Sequence, residues 1–203
     1  MTPEASGPSP LHAALRQATR LPHHALDHHP LLAPLVRPGA DVVQYGNALA
    51  ALHGIYAQAE SAVFGFLAAH PGLFDYRVRE KLPALDADLA ALGRQPLPAR
   101  AGGPELQSIG ALIGVLYTVE GSTLGGQYIA RNLRQHPGAG LPMQFFSGYG
   151  ENARQRWSEF LQFADANCPP NEIEAATSTA VLLFESIRVH LDCCQETLCV
   201  APG

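Results

Sequence analysis

The chain of 203 residues is 47% hydrophobic and 15% charged, a balance suited to one globular domain whose core needs no disulfide or metal staple. Its formal net charge of −5 argues against a nucleic-acid partner, since phosphate backbones are bound through clustered Lys and Arg. No apolar run reads as long enough to cross a bilayer, and Met1–Pro10 lacks the basic and apolar blocks of a secretory signal. A cytoplasmic protein without a membrane partner is therefore expected.

Residues 1–10 read as a polar, proline-rich tail, residues 11–199 as one domain, and 200–203 as a short tail. The first element, Leu11 to Pro30, carries five histidines: His12, His23, His24, His28 and His29. His12, Arg16, Thr19 and His23 are spaced four, three and four, so an unbroken helix would align them on one face. Pro22 cannot donate to the carbonyl four residues back, and a kink or restart is expected just before His23. Val42–His70 then reads as a long Ala-rich helix, capped by Asp41 and stopped by Pro71-Gly72. Arg77–Leu92 reads as an amphipathic helix that Pro83 either kinks or truly starts, followed by a Pro/Gly loop over Gly93–Pro104.

A second long helix is predicted from about Leu106 to Gln135, stopped by His136-Pro137-Gly138. Gly138–Gly150 reads as an irregular aromatic connection, Glu151–Asn167 as a helix, and Glu172 to about Leu198 as the last helix, with Asn171 as its cap. No alternating strand pattern or internal repeat competes, so the fold class is all-α. Cys193, Cys194 and Cys199 crowd the last helix, Cys168 stands before two prolines, and no Cys-x-x-Cys pair occurs. These read as reduced thiols, and Cys168-Pro169 as a helix stop.

Two segments carry chemistry. His23 has Asp27 one helical turn ahead, where a carboxylate meets the far ring nitrogen, fixes the tautomer and raises the basicity of a metal-ligating nitrogen. A single neutral imidazole also leaves the opposite face of an iron centre open. His24 and His28 have the spacing of a zinc pair, but no nearby Cys or third partner completes that site. In Leu112–Leu133, Gly114, Thr118, Gly121 and Gly125 form a small-residue stripe, with Ser122 and Gly126 beside it. Each interior glycine costs a helix roughly 0.5–1 kcal/mol, so the cluster needs a reason. Either another helix packs closely there, or a flat, bulky ligand lies against the backbone, with Ser122 bonding a water or bound oxygen.

Together these segments resemble haem oxygenases. Leu15, Arg16, Thr19, His23 and Asp27 follow the family's proximal-helix pattern without a gap, and Gly121, Gly125, Gly126 and Gln127 follow its Gly-x-x-x-Gly-Gly-Gln distal core. Glu120–Gln127 is most similar to the bacterial branch found with bacteriophytochromes, as are Phe145–Gly150 and the Trp157–Phe160 pair. The likeness spans Leu11 to about Leu191.

The resemblance implies a single-domain helical bundle that sandwiches haem between a proximal N-terminal helix and a glycine-containing distal helix. It implies oxygen-dependent opening of the ring at the alpha position to biliverdin, carbon monoxide and ferrous iron. Haem would be substrate and cofactor, a ferredoxin or reductase the electron donor, and a bacteriophytochrome the bilin acceptor. His23 would be the axial iron ligand and Asp27 its partner. Thr118, Gly121, Ser122, Gly125 and Gly126 would bind haem on the distal side, with Gly121, Ser122 and Gly125 as the catalytic set, Arg16 would reach a propionate, and Thr19 would bind haem on the proximal side. Arg154, Arg156 and Arg188 are further propionate candidates. The chain departs from the commoner pattern at Ser122, where many members carry Asp, at Pro22, and in having Asp rather than Glu at 27. Ser122 motivates a second reading, a non-catalytic haem or bilin carrier on the same fold; a purely structural helical interaction protein is the third.

Overall fold

The computed structural model describes residues 7–37, 39–99, 102–135 and 140–200. Among the described residues seven α-helices follow in chain order: α1 Pro10–Asp27, α2 Val42–Ala69, α3 Leu82–Ala91, α4 Ile109–Arg134, α5 Gln144–Ser147, α6 Ala153–Asn167 and α7 Ile173–Val200. Among the described residues there is no strand.

Helix α1 starts where Ser9 accepts the His12 N–H at 3.2 Å, with Pro10 in the first turn, where its missing donor is harmless. Of the kink or restart expected before His23, the restart does not occur: α1 runs as one helix through Pro22. One absent hydrogen bond is outweighed because Leu11, Leu15 and Thr19 are buried on one face, with α7 as main support. Helix α2 carries a reciprocal cap: Asp41 accepts the Gln44 N–H at 2.7 Å while Gln44 accepts the Asp41 N–H at 3.1 Å. Pro83 marks the true start of α3, preceded by a 3₁₀ turn at Arg77–Arg79.

Three boundaries need correction. The second long helix begins at Ile109 after a Ser108 cap, and its expected stop at His136-Pro137-Gly138 lies outside the described residues. The aromatic connection is not wholly irregular, because it holds α5. Asn171 sits inside a 3₁₀ turn, Pro170–Glu172, rather than capping α7.

Helix α4 is central. It has the length and apolarity of a membrane span, which the sequence reading did not find, but 61% of its most apolar window is buried inside the fold. It lies against α7, and α1 packs on α7 as well. The close α4–α7 approach depends on Gly110 and Gly114. A Cβ at either would come within 2.4 Å of a carbonyl oxygen, that of Glu172 or Ala176. Leu112, Leu116, Ala176, Ala180 and Leu191 then interlock in the core, joined by Leu49 and Phe160. Two helices, α1 and α4, thus lean on a shared third.

Candidate active site

A cleft of about 450 Å³ opens between α1 and α4. Its α1 wall holds His23, Leu26 and Asp27; its α4 wall runs from Tyr117 to Ile129 and includes Thr118, Gly121, Ser122, Gly125 and Gly126. Helix α2 contributes Leu52, Ile55 and Tyr56, and Phe145, Phe146, Trp157, Phe184 and Ile187 complete an apolar surround. Such a shape, mostly apolar with a few convergent polar groups, is what a small-molecule site requires.

The His23 Nδ1 lies 3.1 Å from Asp27 Oδ2, and the ring sits 5.7 Å from the Phe184 ring. Helical spacing makes that bond; it commits Nδ1 and leaves Nε2 as the nitrogen able to bind a metal. On α4 the small-residue stripe divides in two. Gly114 serves helix packing, whereas a Cβ at Gly125 would meet nothing within 4 Å, and one at Gly121 would meet only the Trp157 ring at 3.6 Å. Helix packing therefore accounts for Gly114, while Gly125 faces open space in the cleft.

Ser122 Oγ donates to the Val119 carbonyl at 2.8 Å and is 2.7 Å from the Tyr56 hydroxyl. Since the serine proton is spent on the backbone, Tyr56 is the donor between them. Burial pushes the Tyr56 hydroxyl up to about 12, more than its bond to Ser122 pulls it down, so it remains a neutral donor.

Behind this wall lies a buried charged cluster. Glu120, on α4, binds Arg79 Nη1 at 2.7 Å, the Lys81 ammonium, and the Tyr149 hydroxyl at 2.9 Å. Arg79 also reaches Glu159 at 3.0 Å and the Arg156 carbonyl at 3.1 Å. Glu60 accepts from Tyr76 at 3.1 Å and from the Lys81 backbone N–H at 2.6 Å. Burial raises the Glu60 carboxyl above its ordinary value despite those donors, and lowers the Lys81 ammonium despite Glu120. Asp88 on α3, fully buried, accepts the Gln144 and Phe145 N–H groups at 3.0 and 2.9 Å, holding α5 so that Phe145 and Phe146 line the cleft.

Not every sequence candidate reaches the cleft. Arg16 is exposed on α1, and Thr19 is buried with its hydroxyl on the Leu15 carbonyl at 2.8 Å; neither lines the cleft. Arg154, Arg156 and Arg188 also stand outside the lining: Arg156 pairs with Glu159, and Arg188 with Glu185 and Asp192. The His24 and His28 rings stack at 4.3 Å, and among the described residues no group of three His, Cys, Asp or Glu could hold a metal ion. None of the four cysteines, all of them among the described residues, is in a disulfide. Sequence reasoning missed Tyr56, Lys81 and Glu120; a lone carboxylate in the apolar run before Gly121 was the available signal.

A histidine anchored on one helix and a glycine-bared helix lining the same cleft, in an all-α bundle, define a helical protein with an apolar small-molecule cleft. The sequence model described as Heme oxygenase matches residues 9–191, and the chain belongs to that family. It is 31% identical over 155 residues to the heme oxygenase of Xanthomonas campestris pv. campestris, covering 76% of this chain and 90% of that protein. Among solved structures it is similar to the NO- and CO-bound heme oxygenase of Neisseria meningitidis, with a TM-score of 0.73 at 20% identity over 94% of this chain and 93% of that one. It is also similar to the heme oxygenase of the cyanobacterium Synechocystis in complex with heme, with a TM-score of 0.71 at 17% identity over 94% and 95%. These solved structures agree in fold, and family membership supports haem degradation as the general activity.

Proposed function

We propose that this chain binds haem in the α1–α4 cleft, with His23 Nε2 as the axial iron ligand, and opens the ring to biliverdin, carbon monoxide and ferrous iron. The observation that carries this reading is the pairing of an Asp27-oriented imidazole with α4 backbone left bare at Gly125, where an added Cβ would meet nothing within 4 Å. The residues fit the group: the cleft is mostly apolar, holds the His23–Asp27 and Tyr56–Ser122 pairs, and offers bare backbone where a flat ring needs close approach. Bound haem supplies the iron that activates oxygen with electrons from an external ferredoxin or reductase.

The chain's own residues orient and protect. Asp27 holds the His23 ring in the tautomer that presents Nε2. Gly125, and Gly121 beside the Trp157 ring, would leave room between α4 and the bound group for a small gas molecule and water, while Gly126 lets the Phe146 backbone approach α4 to 3.2 Å from its Cβ position. Ser122 offers an acceptor to water, and Tyr56 directs a proton toward Ser122 across 2.7 Å. Phe145, Phe146 and Phe184 exclude bulk water, which strengthens each remaining polar contact. Arg16, outside the lining, extends from α1 to meet a propionate at the solvent edge. Thr19 supports α1 from the buried side.

Haem-loaded protein given ascorbate or a reductase should yield biliverdin by chromatography, and His23→Ala should abolish that product while leaving the helical content unchanged. Recovery of an intact ring after reduction under oxygen would instead favour a haem or bilin carrier. That second reading is motivated by Ser122, whose proton is already held by Val119. The likeness of Glu120–Gln127 to the phytochrome-associated branch supports a bacteriophytochrome as acceptor. Faster assembly from the loaded protein than from free biliverdin would be the mark of that partnership.

A further inference from the structure

The charged cluster behind α4 touches the cleft through one member. Among the described residues lining it, Lys81 and Asp27 alone carry a formal charge, and Asp27 is engaged with His23. Lys81 is 6% exposed, and its ammonium points at the Arg79 carbonyl, Glu120 and the Tyr149 hydroxyl. An ammonium has three N–H donors, so none is left for a molecule in the cleft. The Tyr76 and Tyr149 ring centroids lie 5.4 and 4.8 Å from it, completing a cage. Held this way, Lys81 neither swings toward a ligand nor passes it a proton. What it gives the cleft is a fixed charge.

The groups facing that charge are few. Glu120 balances it directly, Arg79 adds a second cation on the same carboxylate, and Glu159 offsets Arg79. Glu60 holds the Lys81 backbone, Arg156 lies 5.8 Å over the Tyr149 ring, and the Tyr56, Tyr76 and Tyr149 hydroxyls are neutral donors. Of all these, only Lys81 and Tyr56 reach the lining.

We propose, resting on the haem reading above, that Lys81 is a positioning charge. With Glu120 as its counterweight, it sets how readily water beside Tyr56 and Ser122 gives up a proton. A cation near a water favours its hydroxide form, so the water becomes a stronger acid. This supplies by electrostatics what a carboxylate at position 122 would supply by proton exchange. A unit charge about 10 Å away across an effective dielectric of about 20 changes an acid constant by the order of tenfold.

The test uses the full chain loaded with haem, as wild type, Lys81→Met, Lys81→Arg and Glu120→Gln. Absorbance follows the aquo-to-hydroxo transition of the ferric form, and infrared follows the CO stretch of the ferrous carbonyl, which falls as the local potential becomes more positive. Lys81→Met should raise the transition by about one pKa unit and raise the stretch. Lys81→Arg should stay near wild type, and Glu120→Gln should move both readouts the opposite way from Lys81→Met. Unmoved readouts in Lys81→Met, or the same direction of change in Met and Gln variants, overturn the inference and leave only packing. If Lys81→Met does not fold, the sign of the Glu120→Gln shift decides. Wild-type protein that takes up no haem overturns the functional reading as well, which separates that failure from this one.

Discussion

The Glu60 carboxyl shows how single residues in this site set a dependence on pH. It is 3% exposed, and burial raises it above the ordinary carboxyl value even though Tyr76, Lys81 and Leu82 donate to it. A carboxyl raised in the folded state binds more protons folded than unfolded, so its contribution is fully present below the unfolded value. That contribution is lost as pH rises through the folded value. Glutamine imitates the protonated form. The stability of Glu60→Gln minus that of wild type should therefore increase from pH 4 to pH 8, as denaturant titrations at each pH would measure; a flat difference would place the cause elsewhere. Legibility in the sequence follows the same logic of distance. His23 and Asp27 are four residues apart, and helical geometry alone brings them together. Tyr56 finds Ser122 across 66 positions, and Lys81 finds Glu120 across 39. Nothing local in Arg77–Lys81 says that Arg79 and Lys81 are buried while Arg77 and Glu80 are exposed, because the carboxylate that makes burial tolerable arrives from α4.

Helix α4 does two jobs with one residue type, and substitution should separate them. At Gly114 a Cβ would fall 2.4 Å from the Ala176 carbonyl, so α4 and α7 would have to move apart. Gly114→Ala is expected to destabilise the fold by about 1–3 kcal/mol, the range for overpacked cores. At Gly125 the added methyl meets open space, and alanine is the better helix former by roughly 0.5–1 kcal/mol. Gly125→Ala should hold or raise the thermal midpoint while weakening haem uptake, measured by Soret titration. Loss of stability with unchanged uptake would contradict this division. The glycine stripe was visible as a pattern, but the pattern could not say which glycines faced α7 and which the cleft. Pro22 and α5 mark the same limit: tertiary support from α7 carries α1 through a proline, and Asp88 of α3 orders a turn of helix in a segment that reads as loop.

Across the whole molecule, the two walls of the cleft are held by α7 and little by each other. The end of α1 is tied down by His29, which is buried: its Nε2 is 3.2 Å from Asp192, its Nδ1 accepts the Leu31 N–H at 3.1 Å, and Arg188 holds Asp192 at 2.8 Å. Helix α4 is set against the same helix by Gly110 and Gly114. A ligand ligated by His23 and lying under α4 adds a bridge between walls that otherwise meet mainly through α7, with α6 and the His12–Tyr117 ring contact as lesser links, and it binds the folded chain only. At a hundredfold excess over its dissociation constant such a ligand stabilises by about 2.7 kcal/mol. For a domain of this size, that corresponds to a rise in thermal midpoint of about 5–10 °C. Calorimetry of the haem-loaded and haem-free chain should show that rise, and His23→Ala should remove most of it because one wall loses its link to the iron. Gly114→Ala should lower both midpoints yet keep the gap between them, since its fault lies in the α4–α7 seam. If His23→Ala kept the full gap, haem would be held by apolar contact with the cleft alone, and the axial bond would not be what joins α1 to α4.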